Sequence, residues 1–341
     1  MRQVTIILLT IVSIVCACYF VLWCLKRSKS HNYSSFYRIF SNDNIKLLDT
    51  VFLDDAFHYI AGIDYPSVYL GNRLNSSHIK IWNTETREMT SKEIKFLKVA
   101  NQHNDLVVDS AHFYVSNTNE SLIYGGDIAD WIAHPLSEGI SFIQFTPLNH
   151  DKFALISLYD KENTITRLGF DNRKPIVFPF KGLLKKQIDG IFCTEGTLHY
   201  DKKSKRLVFV YLYRNEFLVI DSHFQLHRKG NTVDSISQAK LKTAKIGNTY
   251  ALISAEIIVN KYSYANEGYL YVNSNIPAKN EVLAKYSANA VIDIYALEDV
   301  QYQYSFYIPN FRKKKLTEFA VANGRLFSIQ GNYLTAYSFS E

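Results

Sequence analysis

Short stretches in which apolar and polar residues alternate, rich in tyrosine and phenylalanine, recur through most of this chain of 341 residues. A period of two with aromatic and β-branched residues is typical of strands packed between layers. Helical periodicity is scarce, and its best example, a capping pattern at Thr90 and Glu93, predicts one or two helical turns. The sequence therefore predicts an all-β body. Representative strand stretches are residues 58–63, 78–82, 112–115, 153–159, 206–213 and 268–272.

Aromatic residues followed by polar turns recur at Trp82, Tyr159, Tyr200 and Tyr295. The intervals of 77, 41 and 95 residues are close to two, one and two units of about 40–48 residues, the size of a four-stranded propeller blade. A propeller stacks its sheets in a ring and leaves only short edges. The sequence therefore predicts one β-propeller domain over residues 36–341, with six blades or, alternatively, seven.

The end of the chain predicts how this ring closes. Residues 325–330 and 333–339 are two β stretches joined by Gly331 and Asn332, a dipeptide of the hairpin type. A propeller ring commonly closes when a strand from one terminus completes a blade built mainly from the other. We therefore expect the last hairpin to pair with a strand within residues 36–52.

The beginning of the chain predicts a membrane anchor. Residues 4–25 contain no charge, proline or glycine, and about 20 apolar residues span a bilayer core as a helix. A cleavable signal peptide has an apolar core of only about 7–15 residues, so an uncleaved helix is favoured over cleavage or lipidation at Cys18. The predicted organisation is an anchor over residues 1–27, a linker over residues 28–35 and the propeller.

Positive charges around the apolar run bear on its orientation. Arg2 precedes it, whereas Lys26, Arg27 and Lys29 follow it, which favours a cytoplasmic body. Anchored propeller domains are commonly exported, which favours the opposite orientation. The expectation is a single-pass protein of the cell membrane whose propeller lies on the extracytoplasmic, periplasmic side.

Charge and cysteine content exclude several classes of site. The net charge of +6 is mild for this length, so no nucleic-acid partner is expected. Three of the four cysteines lie in the apolar run, which leaves Cys193 alone in the body. A disulfide within the body and a cysteine-rich zinc site are therefore excluded. Cys193 lies in an apolar segment and is expected to be a buried, unreactive thiol.

Several segments resemble a known family. Residues 196–201 followed by 207–221, and later residues 292–295 with 304–309, are similar to the exported, six-bladed, TolB-like propeller proteins of Bacteroidetes. The resemblance covers most of residues 40–341. It implies the six-bladed fold, and it brings no catalytic motif and no defined activity with it.

Two candidate ligand-binding residues follow from the expected blade pattern and composition. If residues 196–200 form an inner strand, Arg214 lies in the turn between the second and third strands, on the usual ligand face of a propeller. Its guanidinium can bind a carboxylate or phosphate through two parallel hydrogen bonds, although a polar hairpin turn is the commoner reading. Trp131, in a loop that follows Gly125 and Gly126, can stack on a ligand or cap a blade.

Two more candidates precede and begin the strand at residues 112–115. Asp109 and His112, together with Asp105, can converge on a metal ion or act as an acid–base pair. A solvated loop with one inward histidine is the simpler alternative. Because no local geometry fixes these side chains, they are candidates for ligand binding only, and no metal ligand is assigned.

Two functional hypotheses remain. Signatures of common enzyme classes are absent, so no catalytic residue is assigned and the cofactor stays unknown. The first hypothesis is a binding or scaffold module for a protein or a small molecule. It is favoured because the sequence contains no catalytic motif that a binding module would leave unexplained. The second is a hydrolase or lyase with a loop-built, metal-dependent or metal-free site at the central channel. Three or more carboxylates and histidines converging at the channel mouth would favour the enzyme, whereas an aromatic, charge-poor mouth would favour binding.

Overall fold

The structure is a computed structural model that describes residues 12–21, 35–41, 45–97, 105–172, 174–247 and 249–339. Its body is built from strands, as the alternating aromatic stretches predict. The strands are β1 (Lys46–Phe52), β2 (His58–Asp64), β3 (Ser67–Asn72), β4 (His78–Asn83), β5 (Met89–Glu93), β6 (Lys95–Phe96), β7 (Asp105–Asp109), β8 (His112–Asn117), β9 (Leu122–Asp127), β10 (Ile132–Glu138), β11 (Gln144–Asn149), β12 (Lys152–Tyr159), β13 (Glu162–Asp171), β14 (Lys174–Phe180), β15 (Gly196–Asp201), β16 (Arg206–Tyr211), β17 (Glu216–Ile220), β18 (Leu226–Asn231), β19 (Leu241–Ile246), β20 (Thr249–Ala255), β21 (Asn260–Asn266), β22 (Tyr269–Ser274), β23 (Asn289–Ala296), β24 (Tyr302–Pro309), β25 (Leu316–Ala322), β26 (Arg325–Gln330) and β27 (Tyr333–Ser338).

Six antiparallel sheets form the blades of a propeller, which confirms the predicted fold and settles the blade number at six. Blade one is β2–β5, blade three β11–β14, blade four β15–β18 and blade five β21–β24. Blade two is β7–β10 with the short β6 added parallel to β10. Blade six is β25–β27 completed by β1. A hairpin of β19 and β20 lies between blades four and five, and a short helix (Leu283–Ala288) connects β22 to β23.

The ring closes as the sequence predicts. Strand β1 pairs antiparallel with β27, from Lys46 opposite Ser338 to Phe52 opposite Tyr333. The backbone N–H of Leu53 then donates to the carbonyl of Asn332 at 2.8 Å. Blade six therefore joins the two ends of the propeller in one sheet, and the outer edge of its last strand is covered.

An apolar cluster fills each seam between neighbouring blades. The seam between blades six and one contains Leu53, Trp82 and Phe327, all almost fully buried. The seam between blades one and two is centred on Phe113 and Trp131. Burial of large apolar side chains between stacked sheets is the main favourable term in folding, so the seams hold the ring together.

The segment before β1 packs against blade five through a buried arginine. The Arg38 Nε donates to Asp293 Oδ1 at 2.7 Å, and Nη2 donates to Asp293 Oδ2 at 3.1 Å. The Arg38 Nη1 donates to the Ile276 carbonyl at 2.9 Å and also binds Glu281. Both ion pairs are almost completely buried. This Arg38 cluster, defined as Arg38, Asp293 and Glu281, fixes residues 35–41 on the propeller.

The predicted membrane helix is not supported by the structure. Residues 12–21 are helical, which at 1.5 Å per residue gives a length of about 15 Å, half of a bilayer core. Across the ranges that the structure describes, no helix is both long enough and apolar enough to cross a membrane. The remaining residues of the predicted run, 4–11 and 22–25, lie outside the described residues.

The predicted helical turn at Thr90 and Glu93 is wrong. Both residues belong to β5, which pairs with β4 and forms the outer strand of blade one. A capping pattern is a local signal, and here the hydrogen bonds offered by the neighbouring strand outweigh it. This is a case of tertiary context overriding local preference.

Candidate functional site

The innermost strands of the six blades surround a central channel with a cavity of about 540 Å³. These strands are β2, β7, β11, β15, β21 and β25, and residues of every one of them line the cavity. The volume lies within the range of about 300–1,000 Å³ that is usual for small-molecule sites. The channel is therefore the candidate functional site.

A chain of polar side chains links blades four and five inside the channel. His199 Nε2 lies 2.8 Å from Ser263 Oγ, and Ser263 Oγ lies 2.5 Å from Thr197 Oγ1. On the preceding seam, Thr146 Oγ1 donates to the Leu198 carbonyl at 3.0 Å. These hydrogen bonds join the inner strands across the seams and fix the lining side chains in place.

His199, the histidine of this hydrogen-bonded group, is neutral at ordinary pH. Burial lowers the pKa of His199 to about 4, because the charged imidazolium loses its hydration inside the ring of blades. The Tyr264 ring packs beside the imidazole, with 6.1 Å between the ring centroids. His199 can therefore donate or accept a hydrogen bond in the channel without carrying a charge.

A carboxyl group, that of Glu318, lies on the inner strand of blade six, two blades from His199. Burial raises the pKa of Glu318 to about 7, while the charge of Arg73 and the N–H of Ile60, which donates to the carboxylate, oppose this rise. Within the described part of the chain, Glu318 forms no salt bridge, and its half-buried side chain lines the cavity. Near neutral pH this carboxyl is poised between its neutral and its charged form.

Two ion pairs mark the two ends of the channel. Arg73 Nη1 lies 3.3 Å from Asp105 Oδ1, and Lys202 pairs with Asp109. Asp105 and Asp109 are the first and last residues of β7, so the pairs are separated by most of the length of an inner strand. Because each of these charges has an opposite partner, Glu318 is the lining charge that lacks one among the described residues.

Aromatic residues supply much of the remaining lining. Tyr262 and Tyr264 of β21 contribute with Phe145, Tyr200 and Phe319 from three other inner strands. Burial raises the pKa of Tyr264 to about 12, so its hydroxyl remains protonated and can donate a hydrogen bond. The channel thus combines aromatic surface with polar groups that hydrogen bonds hold in place, and both kinds of surface occur in small-molecule sites.

The structure separates the two acid–base candidates, Asp109 and His112. They face each other across the β7–β8 pair, but Asp109 points its charge to Lys202, whereas His112 Nδ1 lies 2.6 Å from Asp127 Oδ1. Asp109 lines the channel cavity. Within the described residues no group of three histidine, cysteine, aspartate or glutamate side chains is arranged to hold a metal ion.

Arg214 lies between the second and third strands of blade four, where the sequence places it, and its guanidinium is almost fully buried. Nη1 donates to the Cys193 carbonyl at 3.1 Å, and Nη2 donates to the Lys185 carbonyl at 2.8 Å. The guanidinium carbon also lies 3.5 Å from the centroid of the Tyr211 ring. These contacts give Arg214 a structural role beneath the loop over residues 181–195, and a ligand role for it stays a prediction.

Trp131 is buried in the seam between blades one and two. Its ring stacks on Phe113, with 5.0 Å between centroids, and lies 6.2 Å from Tyr69. Only 5% of its surface is exposed. Trp131 therefore packs between two blades, whereas the sequence offered ligand stacking or the capping of a blade, and ligand stacking stays a prediction.

The sequence-based search missed Glu318, His199 and Ser263. A signal existed for Glu318, since it is the charged residue inside the otherwise apolar and small stretch Leu316–Ala322. An ionisable residue in the middle of a buried strand is unusual enough to mark a site. No comparable signal distinguished Ser263 from the other hydroxyl residues of the strands.

Neither a protein family nor a curated protein matches this sequence. Solved structures match its fold. Virginiamycin B lyase from Staphylococcus aureus is 10% identical, with a TM-score of 0.51, over 87% of this chain and 100% of that one. A member of the duf4221 family from Bacteroides vulgatus is 16% identical, with a TM-score of 0.50, over 87% of this chain and 98% of that one. The β-propeller domain of Cps50 (Swd1) from Myceliophteria thermophila is 9% identical, with a TM-score of 0.50, over 86% of this chain and 100% of that one. At such identities the similarity supports the propeller fold alone.

Proposed function

We propose that this protein is a non-catalytic binding module whose central channel holds a small organic molecule that carries an ammonium group. The observation that supports it best is the Glu318 carboxyl, which has no ion-pair partner among the described residues, in an aromatic-lined cavity of about 540 Å³. Aromatic rings attract cations through their negative faces, and a carboxylate adds a counter-ion. A protein scaffold role remains compatible with the fold, since propellers serve both purposes.

The charges in and around the channel favour a cation over an anion. Arg73 is matched by Asp105, and Lys202 is matched by Asp109. An ionised Glu318 then leaves one net negative charge. A bound ammonium would stabilise the ionised carboxylate and lower the pKa that burial raises to about 7. Binding should therefore release a proton below that pH.

Calorimetric titration with 2-phenylethylamine, and with 2-phenylethanol as its neutral counterpart, tests this proposal. The amine should bind at pH 8 and bind more weakly at pH 6, because Glu318 must lose its proton first. Glu318→Gln should weaken amine binding about tenfold or more and abolish its pH dependence. Glu298→Gln removes an exposed carboxylate as the control and should change neither. Equal binding of the alcohol, or of the Glu318→Gln variant, would contradict the proposal.

A second candidate function is that of a lyase or hydrolase. The observation in its favour is the 2.8 Å contact between His199 Nε2 and Ser263 Oγ, within the distance of a base from a nucleophile, in the same cavity as Glu318. Three candidate groups do line this cavity, namely Asp109, His199 and Glu318, but they do not converge. Turnover of virginiamycin B that His199→Ala and Ser263→Ala both abolish would establish this alternative.

We propose in addition that the chain is related to the TolB-like propellers of Bacteroidetes. The support is the sequence pattern of residues 196–201, 207–221, 292–295 and 304–309. A profile built from authenticated members of that group should then align over all six blades without gaps inside the inner strands. An alignment limited to one or two blades would contradict the relationship.

A further inference from the structure

A second cavity of about 170 Å³ lies beside the channel, between blades five and six. Its walls come from the first residues of β21, β23 and β25, the end of β22, the short helix Leu283–Ala288, and the loop after β24. Lys261 and Lys315, which are exposed overall, contribute its charged groups, and no aspartate or glutamate lines it. Neither lysine forms an ion pair within the described part of the chain.

The two ammonium groups influence each other. Burial, and after it the positive charge of Lys315, lower the pKa of Lys261. Like charges held near one another without a carboxylate destabilise a protein. Such a pair is stabilised when an anion binds between the two groups, because the anion removes the repulsion and supplies the missing partner.

The polar walls of the cavity are fixed by hydrogen bonds to the backbone. Asn273 Nδ2 donates to the Val291 carbonyl at 2.9 Å, Asn289 Nδ2 to the Lys285 carbonyl at 2.6 Å, and Asn310 Nδ2 to the Ser287 carbonyl at 3.2 Å. Each amide nitrogen retains a second N–H that can donate to a ligand. These side chains therefore need little reordering on binding, which lowers the entropic cost.

We propose that this cavity is a binding site for a dianionic, tetrahedral oxyanion, either inorganic phosphate or the phosphate of a small phosphomonoester. Two ammonium charges match a dianion, and lysine binds phosphate as a point charge. The site is separate from the channel, because Lys261 and Lys315 do not line the channel cavity. Tyr262, which follows Lys261, and Thr317, which follows Leu316 of the smaller cavity, do line the channel, so the two sites share strands β21 and β25.

Isothermal titration calorimetry of the full chain at constant ionic strength tests the site, with sodium phosphate, phenyl phosphate and sodium acetate as probes. Phosphate should bind with one site per chain, and acetate should bind at least about tenfold more weakly, because a monoanion satisfies only one of two charges. If phenyl phosphate binds more tightly than phosphate, the ligand of the site is a phosphomonoester. If phosphate binds more tightly, the ligand is the free ion.

Charge-matched variants decide whether the lysines are responsible. Lys261→Gln with Lys315→Gln should weaken phosphate binding at least about tenfold. Lys242→Gln with Lys313→Gln removes two lysines that are also exposed but do not line the cavity, and it should leave binding unchanged. Lys261→Arg with Lys315→Arg should retain binding, which separates the loss of charge from a loss of folding. Absence of phosphate binding, equal binding of acetate, or equal losses in the two glutamine pairs would overturn the proposal.

Discussion

Two groups of ionisable side chains in this propeller, the Arg38 cluster and the channel residues Glu318 and His199, are built in opposite ways. In the Arg38 cluster every charge has partners: the guanidinium binds Asp293, Glu281 and a carbonyl, and Ser305 Oγ donates to Asp293 Oδ1 at 2.5 Å. In the channel, Glu318 lacks an ion pair within the described residues and His199 is neutral. A satisfied network is typical of a structural joint, whereas an unsatisfied titratable group inside a cavity is typical of a functional site.

Because of this difference, substitutions in the Arg38 cluster should mainly lower stability, whereas substitution of Glu318 should mainly weaken ligand binding. Removing one member of the Arg38 cluster leaves a buried charge uncompensated, which strongly destabilises a protein. Burial disfavours the charged form of Glu318. Replacing this residue by a neutral one should therefore raise the free energy of unfolding near neutral pH. The following predictions test this contrast in order of decreasing effect.

The largest effect is expected for Arg38→Met. The substitution leaves Asp293 and Glu281 buried without their cation and should lower the free energy of unfolding by about 3–5 kcal/mol. Denaturant unfolding followed by circular dichroism measures it. The triple variant Arg38→Met, Asp293→Asn, Glu281→Gln should recover part of the loss, because no net charge is then buried. A loss below 1 kcal/mol in the single variant would show that the cluster is not a structural joint.

Glu318 should make stability depend on pH. Its folded pKa of about 7 exceeds the ordinary value of 4.5, so the folded protein holds this proton more tightly than the unfolded chain. Stability from this group is fully present below about pH 4.5 and is lost as the pH rises to about 7, by up to about 3 kcal/mol. Glu318→Gln should remove the loss and be the more stable protein at pH 8. Identical pH profiles for the two proteins would refute this assignment.

His199 should act in the opposite direction. Its folded pKa of about 4 lies below the ordinary 6.5, so stability is present above pH 6.5 and is lost as the pH falls toward 4. At pH 5 the loss should amount to about 2 kcal/mol. The proton chemical shifts of the His199 ring, followed by NMR, should show a neutral imidazole down to about pH 5. A midpoint near 6.5 would mean that the channel is fully hydrated around this residue.

The smallest effect is expected at the channel end formed by Lys202 and Asp109. The lysine is about half exposed, and exposed pairs contribute only about 0–1 kcal/mol. Lys202→Gln should therefore change thermal stability little. Because it frees the Asp109 carboxylate at the channel, it should also strengthen amine binding slightly at low salt. A large loss of stability would instead assign this pair to the structural group.

The strands and the ring were predictable because they depend on local signals: alternating aromatic residues and turn-forming dipeptides. The spacing of the repeated turns predicted roughly the right blade size, but the four turns do not lie at equivalent positions in their blades. Trp82 and Tyr295 precede turns between third and fourth strands, but Tyr159 precedes a second-to-third turn and Tyr200 a first-to-second turn. The spacing therefore joins turns from different positions in the blades, and it carries no information on which strand faces the channel.

The sequence marks Glu318 as unusual for a strand, but the grouping of the channel residues was not predictable, for a geometrical reason. Glu318 lies at a register shift of β25, and the N–H that it accepts belongs to Ile60, at another register shift in β2. Each bulge moves the following side chains to the other face of the strand, so alternation alone misassigns the lining. The seam that joins these two residues exists only when blade six meets blade one.

The pairing of β1 with β27 also has a consequence for synthesis on the ribosome. About 280 residues separate the two strands in the chain. At about 5–20 residues per second, the earlier strand waits roughly 15 to 60 s for its partner to be translated. During that interval Lys46–Phe52, with Phe52 at its end, presents unpaired backbone groups that any other nascent chain can pair with. Cells should therefore depend on holdase chaperones for this protein in proportion to the length of that delay.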